Sequence, residues 1–314
     1  MFERIAVLIP CLNEAHTVLE VIKSFQKELP GSQIYVYDNG STDNTVKLSL
    51  DAGAIVKHEK SLGKGNVVRR MFGDIEADIY LLVDGDGTYQ AQTAPKMVEL
   101  MHKEALDMVV GARIPVDKDA IFRPGHKFGN KALTKIVGWL FGRKFTDILS
   151  GFRVFSRRFV KSFPALSRGF EIETEMTIHA LDLNLPVSEF ATNYSARAKG
   201  SKSKLNTWKD GYRILLTIIF LFKEVQPFKF FGAIFLIFSI ISILLGYPLF
   251  VTYIDTGLVP RFPTAILATG VMILAFISLA IGIILDSVCR NRREIKRMHY
   301  LAITPLSEKK NDRP

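Results

Sequence analysis

Two carboxylates one residue apart, Asp84 and Asp86, stand in the run Val83-Asp84-Gly85-Asp86-Gly87, directly after the apolar stretch 79–83. Carboxylate oxygens are hard donors that suit Mg²⁺ or Mn²⁺, and such ions commonly complete their coordination with substrate phosphates. An EF-hand loop starting at Asp84 is excluded, because it needs glycine and glutamate where the chain has Tyr89 and Pro95. A plain Asp-Gly turn is the alternative that the pair alone leaves open. Two further polar clusters follow apolar stretches in the same way: Pro10-Cys11-Leu12-Asn13-Glu14 and Asp38-Asn39-Gly40-Ser41-Thr42-Asp43. Ser41 or Thr42 can cap a following helix, but capping leaves Asp38 and Asn39 unexplained. Gly63-Lys64-Gly65-Asn66 opens a helix. Its glycines admit a close ligand, and a lysine at a helix N-terminus favours phosphate, although a solvated turn fits the same residues.

A second set of candidates is cationic or polar. Arg113 closes the run Gly111-Ala112-Arg113; Arg123, His126 and Asn130 follow; Arg197 and Lys204 flank Gly200. Cationic groups of this kind suit an anionic ligand such as a phosphate. The segment Thr146-Asp147-Ile148-Leu149-Ser150-Gly151-Phe152-Arg153 adds Asp147 and Ser150. Asp147 suits a ligand-positioning group, a base, or the cap of a turn before a strand at 152–155. Glu171, Glu173 and Glu175 fall at the start of an expected helix, where acids complement the helix dipole.

The elements that must position these groups alternate. Residues 4–9, 33–37, 54–57, 79–83 and 108–110 read as short apolar strands; 14–29, 43–52, 65–75 and 93–103 read as helices. Val18, Val21, Ile22, Phe25 and Leu29 recur at helical spacing in the first of these. The alternation predicts an α/β fold with a doubly wound, mostly parallel sheet, in which ligands bind beyond the carboxyl ends of the strands. The three polar clusters all lie at such ends.

The last third differs. Residues 230–254 and 262–285 contain no charge, and each run exceeds the ~20 residues that cross ~30 Å of hydrocarbon. A short turn, 255–261, joins them, so they are expected to form a transmembrane hairpin. Lys223 and Lys229 precede it, and Arg290, Arg292, Arg293, Lys296 and Arg297 follow it, whereas the turn carries only Arg261. The positive-inside rule then places both termini and the α/β region in the cytoplasm, at a bacterial inner or plasma membrane, with the basic cluster on anionic headgroups. The expected organisation is a catalytic domain at 1–206, an amphipathic interface helix at 207–228, two spans within 229–287, and a basic tail at 288–314. The chain runs from Met1 straight into a strand, so no cleaved signal peptide is expected. Its two cysteines, Cys11 and Cys289, provide neither a metal-binding spacing nor a disulfide framework. A net charge of +10 calls for an anionic partner. The spans and the lack of an aromatic-basic motif speak against nucleic acid. Self-association stays open.

The trio Pro10…Asn13-Glu14, Asp38…Asp43 and Asp84-Gly85-Asp86 resembles the inverting family 2 glycosyltransferases of the GT-A fold. The segments 146–153 and Arg197…Gly200…Ser203-Lys204-Leu205 are similar to dolichol-phosphate mannose synthases and undecaprenyl-phosphate glycosyltransferases. The resemblance covers residues 4 to 225. It implies that Pro10, Asn13, Glu14, Asp38, Asn39, Lys64, Asp84 and Gly85 bind a nucleotide-sugar donor, and that Asp84 and Asp86 hold Mg²⁺ or Mn²⁺. It further implies that Arg113, Arg123, His126, Asn130, Ser150, Arg197 and Lys204 hold the phosphate of a polyisoprenyl acceptor, with Asp147 catalytic beside the acid pair. The chain departs from the pattern at Asn39, where the family often has a second acid, and at His126, usually an arginine. It departs also at Thr88, where mannose synthases place a metal-binding glutamine; a hydroxyl or a water would serve instead.

Two rivals remain: a processive polysaccharide synthase, which usually carries Gln-x-x-Arg-Trp, and a lipid-binding adaptor without activity. Neither Trp139 nor Trp208 has the first context, and the second leaves Asp84 and Asp86 unexplained. The topology predicts that a C-terminal tag is reachable only after the membrane is permeabilised; labelling of intact cells at that tag would refute it.

Overall fold

The computed structural model describes residues 3–115, 126–142, 145–195 and 207–306, without the side chains of 115, 126–132 and 207–210. Residues up to 218 and from 296 onward form one compact unit, and 219–295 form a second.

The first unit is built on a seven-stranded sheet. In chain order its elements are β1 (Ile5–Cys11), α1 (Val18–Glu28), β2 (Gln33–Asp38), α2 (Thr45–Asp51), β3 (Ile55–His58), α3 (Lys64–Asp74), β4 (Ile79–Leu82), α4 (Ala94–Lys103), β5 (Met108–Pro115), α5 (His126–Phe141), β6 (Arg153–Ser156), α6 (Arg157–Ser162), α7 (Ile172–Asp182) and β7 (Val187–Tyr194). The strand order is β3-β2-β1-β4-β6-β5-β7. β1 runs parallel to β2 and β4, and β2 runs parallel to β3. β6 is antiparallel to both β4 and β5, while β5 and β7 are parallel. Six strands therefore point one way and β6 alone is reversed. The start of β6 thus lies at the edge where β1, β2, β4 and β5 end.

Both faces of the sheet are covered, which is why its strands are continuous apolar runs rather than alternating ones. Ala6, Leu8, Tyr80 and Leu82 point to the face packed by Val67, Met71 and Phe72 of α3 and Met176 of α7. Val7, Ile9, Ile79 and Leu81 point to the opposite face, against Val18, Ile22 and Phe25 of α1 and Met97 and Met101 of α4. The two-residue period of the strand divides neighbours between the two cores.

Three boundaries differ from expectation. α1 begins at Val18 rather than at residue 14. Asn13 adopts a left-handed φ of 52°, and the Glu14 amide donates to Thr45 Oγ1 at 2.8 Å, so this stretch is a tertiary clamp before the helix starts. β5 continues to Pro115 because β7 pairs with it over eight residues. The segment after the second apolar run is helical through Leu301 instead of a separate tail.

The second unit contains the end of α8 (Thr207–Val225), then α9 (Pro227–Thr256) and most of α10 (Phe262–Leu301). α9 and α10 are the two helices long and apolar enough to cross a membrane. Leu236, Ile240, Leu244 and Phe250 of α9 are exposed. Hydroxyls join the pair: Ser242 donates to the Ala268 carbonyl at 2.8 Å and Ser278 to that of Phe231 at 3.1 Å. Gly257, at φ 67°, terminates α9 by donating to the Tyr253 carbonyl.

The last turn of α10 packs on the α/β unit. Asp107, fully buried at the start of β5, accepts from Ser156 Oγ and Arg158 Nε at 2.6 Å each, and from Tyr300 Oη at 2.6 Å. The Arg158 guanidinium lies 4.6 Å from the centre of the Tyr300 ring. Arg297 adds a bond to the Leu183 carbonyl at 2.9 Å. A hydrogen bond to a charged buried group contributes about 1.5–3 kcal/mol. Tyr300→Phe should therefore lower the thermal midpoint of the detergent-solubilised chain, and Tyr300→Ala should lower it further by also removing the ring under Arg158. A wild-type midpoint in Tyr300→Phe would show that the tie contributes nothing.

Candidate active site

β4 ends at Leu82, and the chain turns through Val83 to Thr88 at the carboxyl edge of the sheet. Gly85 is required there: a Cβ would stand 2.8 Å from Cys11 Sγ and 3.3 Å from Ile9 Cγ2. Thr17 Oγ1 donates to the Gly85 carbonyl at 2.6 Å, fixing the turn to the start of α1. Asp86 is buried, and its Oδ1 accepts from the Thr88 hydroxyl at 2.6 Å and the Thr88 amide at 3.2 Å. Thr88 thus orients Asp86; its hydroxyl hydrogen points at the carboxylate.

Asp84, 31% exposed, is held from the other side by Lys64. Lys64 Nζ lies 2.5 Å from Asp84 Oδ1 and 2.6 Å from Glu173 Oε1, and both Lys64 (8% exposed) and Glu173 (4%) are buried. Burial alone would lower the ammonium pKa, but the Asp84 and Glu173 carboxylates overrule it and hold it above its ordinary value. Burial raises Glu173, with Lys64 opposing. The glycines around Lys64 are steric necessities. A Cβ on Gly63 would overlap the Arg168 carbonyl, and one on Gly65 would overlap that of Ser167. A Cβ on Gly151 would run into Asp84 Oδ2 and stand 2.9 Å from Lys64 Nζ. The solvated-turn alternative for residues 63–66 is therefore excluded. The acids at the start of α7 also do more than face a dipole. Glu175 accepts from the amides of Leu166 and Ser167, Glu171 from that of Gly169, and Glu173 holds Lys64.

The residues expected at the nucleotide are brought together by β1 and β2. Pro10 pairs with Tyr37 and Cys11 with Asp38 in the ladder. Asn13 Oδ1 accepts from the Thr42 amide at 2.7 Å, and the Asn13 amide donates to Ser41 Oγ at 2.8 Å. Asp38 is buried and accepts from the amides of Gly40 and Ser41. Asn39 donates through Nδ2 to the carbonyls of Glu59 and Ser61, and its Oδ1 accepts from the Gly63 amide at 2.7 Å. This position needs two donors and one acceptor, which an ionised aspartate does not supply. The departure from two acids thus has a local cause: Asn39 ties the β2 turn to the loop that presents Lys64.

On the opposite side, Arg113 makes a bidentate pair with Asp147, with Nε to Oδ2 at 2.6 Å and Nη2 to Oδ1 at 2.7 Å. Glu189 accepts from the Thr146 and Asp147 amides, so the segment is pinned from below. Ser150 is fully buried; its hydroxyl donates to the Gly111 carbonyl at 2.5 Å and lies 3.3 Å from Tyr89 Oη. Tyr89 Oη accepts from the Gly151 amide at 3.0 Å. Arg153 is the largest fully buried side chain, and it donates to the Ser150 and Ile148 carbonyls and to Thr177 Oγ1. Burial lowers its guanidinium to about 10. Of the other expected acceptor groups, Arg123, Arg197 and Lys204 lie outside the described residues. His126 and Asn130 sit on the first turns of α5, with side chains outside the description. Glu173, Glu189, Tyr89 and Arg153 are site residues that sequence reasoning missed. The only signal for Arg153 was its place inside the 146–153 motif.

The donor set suits a hard divalent cation but is small. No cluster of three or more histidine, cysteine or acidic residues forms among the described residues. Two carboxylates fit an ion that arrives with, and shares oxygens of, a diphosphate.

A mostly parallel sheet with one reversed strand, carrying an acid pair at the edge beyond β4, defines a glycosyltransferase of the GT-A fold. Glucosyl-3-phosphoglycerate synthase from Mycobacterium tuberculosis, solved with Mn²⁺, UDP and glucosyl-3-phosphoglycerate, shares this fold. It matches with a TM-score of 0.58 at 23% identity, over 70% of this chain and 80% of that one. The chain belongs to glycosyl transferase family 2, whose model matches residues 6–163. Glycosyltransferase AglJ of Haloferax volcanii is 33% identical over 312 residues, 95% of this chain and 98% of that protein. A UDP-N-acetylglucosamine–dolichyl-phosphate N-acetylglucosaminyltransferase of Methanococcus voltae is 28% identical over 242 residues, 68% of this chain and 95% of its own.

Gly151 offers a selective probe. In Gly151→Ala the new methyl displaces the Asp84 carboxylate and the Lys64 head, both ends of flexible side chains, while the core is untouched. Misplacing a reacting group by about 1 Å costs on the order of 100-fold. Sugar-transfer kcat/KM should fall by that order with an unchanged thermal midpoint; wild-type kinetics would mean Asp84 tolerates displacement.

Proposed function

We propose that the chain transfers one sugar from a UDP-sugar, glucose or an N-acetylhexosamine, to the phosphate of a polyisoprenyl phosphate, with inversion at the anomeric carbon. The observation that carries this reading is the acid pair at the carboxyl edge of the sheet, in a chain that continues into two apolar helices long enough to cross a membrane. The relative from Methanococcus voltae, named for a UDP donor and a dolichyl-phosphate acceptor, supports both substrates.

Asp84 and Asp86 would hold Mg²⁺ or Mn²⁺, which when bound neutralises charge on the departing diphosphate. Asp38, Asn39 and Asn13 shape the nucleotide side, and Lys64 adds positive charge there. An acceptor phosphate oxygen attacks the anomeric carbon as the bond to the diphosphate breaks; an α-linked donor gives a β-linked product. That oxygen is already ionised at neutral pH, so no strong base is needed. Asp147 is in keeping with this, because its carboxylate is paired with Arg113 and serves to position that guanidinium. Arg113, Arg123, Arg197 and Lys204 supply the cations for the acceptor phosphate. The α/β unit and both termini lie on the cytoplasmic side of the membrane, with the lysines and arginines flanking the apolar helices on anionic headgroups.

Purified protein with Mn²⁺ should label a polyprenyl phosphate from at least one common UDP-sugar; failure across a full donor panel would refute the activity. UDP with Mn²⁺ should raise the thermal midpoint of the wild type but not of Asp86→Ala. Arg197→Ala should raise the KM for the lipid acceptor at least about tenfold, a loss of about 1.4 kcal/mol, with the donor KM unchanged.

A further inference from the structure

Lys64 occupies one oxygen of Asp84. Its ammonium is 2.5 Å from one oxygen of the carboxylate expected to ligate the metal, and is enclosed by Glu173 and the close approach of Gly151. A lysine fixed this way neutralises Asp84 and repels a second positive charge, strongly so at low local dielectric. Glu173 has a second oxygen, Oε2, which is buried and lacks a hydrogen-bond partner. The ammonium therefore has somewhere to move without leaving its cavity: off Asp84 and onto both oxygens of Glu173. That spare acceptor is otherwise costly, since buried polar atoms are normally satisfied.

We propose that Lys64 is the resident counter-ion of the acid pair, held by Glu173 as a positioning residue, so that the site takes up a divalent cation tightly only together with a nucleoside diphosphate. This rests on the glycosyltransferase reading above. Without nucleotide, Lys64 bridges Asp84 and Glu173 and competes with the ion. The diphosphate brings negative charge that offsets the repulsion between ion and ammonium, and Lys64 shifts toward Glu173. The device keeps the enzyme from holding a bare cation in place of the donor complex.

The test is Mn²⁺ binding to the full-length, detergent-solubilised protein, read by calorimetry with and without UDP, with no sugar transfer involved. The wild type should bind Mn²⁺ at least about tenfold tighter with UDP present; equal affinity overturns the proposal without any variant. Lys64→Met combined with Glu173→Gln removes a pair of zero net charge. It should bind Mn²⁺ without UDP about tenfold tighter than the wild type, because the competitor is gone while the formal charge is unchanged. Glu173→Gln alone should weaken nucleotide-free binding severalfold, because Lys64 is then left wholly on Asp84. Wild-type affinity in the double variant, or tighter binding in Glu173→Gln, overturns the proposal. If the wild type binds no Mn²⁺ even with UDP, the metal-dependent reading fails as well, which separates the two ideas.

Discussion

Carboxylates gathered at one edge of a sheet must be balanced by positive charge. In this chain the balance is one buried ammonium, Lys64, set between Asp84 and Glu173. Much of the surrounding geometry follows from that contact. Gly63 and Gly65 let the backbone of α3 press against residues 167–168, and Gly151 clears the space beside both partners. Asn39 fastens the loop that delivers the lysine. Glu171 and Glu175 hold the amides of the segment that packs on it. Four separate parts of the chain converge on one cation because a buried lysine without carboxylates on it would lose its charge.

The frame was legible because parallel sheets are covered on both faces, which makes strands such as Leu81 and Leu82 in β4 unbroken apolar runs. The acid pair and the two apolar helices were legible for similar reasons, being local in sequence. What escaped was non-local. β7 pairs with β5 across more than seventy residues, and nothing in either strand names the other. The start of α1 was not legible because Asn13 takes a left-handed φ and Ser41 and Thr45 hold the Asn13 and Glu14 amides, contacts that lie about thirty residues away in sequence. Glu173 read as a helix-start acid, since its partner lies more than a hundred residues earlier. Its dipole contribution and its ion pair coexist, and sequence reveals only the first.

The surroundings of Asp147 show how the arginines of one region can be divided between different structural uses. Two arginines frame the segment 146–153, yet they differ in role. Arg153 lies in the core and fastens two carbonyls of the loop, a structural use of a cation that resembles a capping group more than a ligand. Arg113 stays nearer the surface, but Asp147 claims the edge formed by its Nε and Nη2. A guanidinium neutralised this way attracts a phosphate less than a bare one, and gains a fixed direction in exchange.

The return of α10 to the sheet has a consequence for how the protein is made. Asp107 is buried early in the sequence, where Arg158 Nη2 reaches its Oδ2 at 3.1 Å, but Tyr300, the other donor to that oxygen, lies 193 residues later. A ribosome delivers that tyrosine only after both apolar helices have emerged. Until then the Asp107 carboxylate lacks one of its donors. The tie between Asp107 and Tyr300 therefore closes only near the end of synthesis, after both apolar helices have been made.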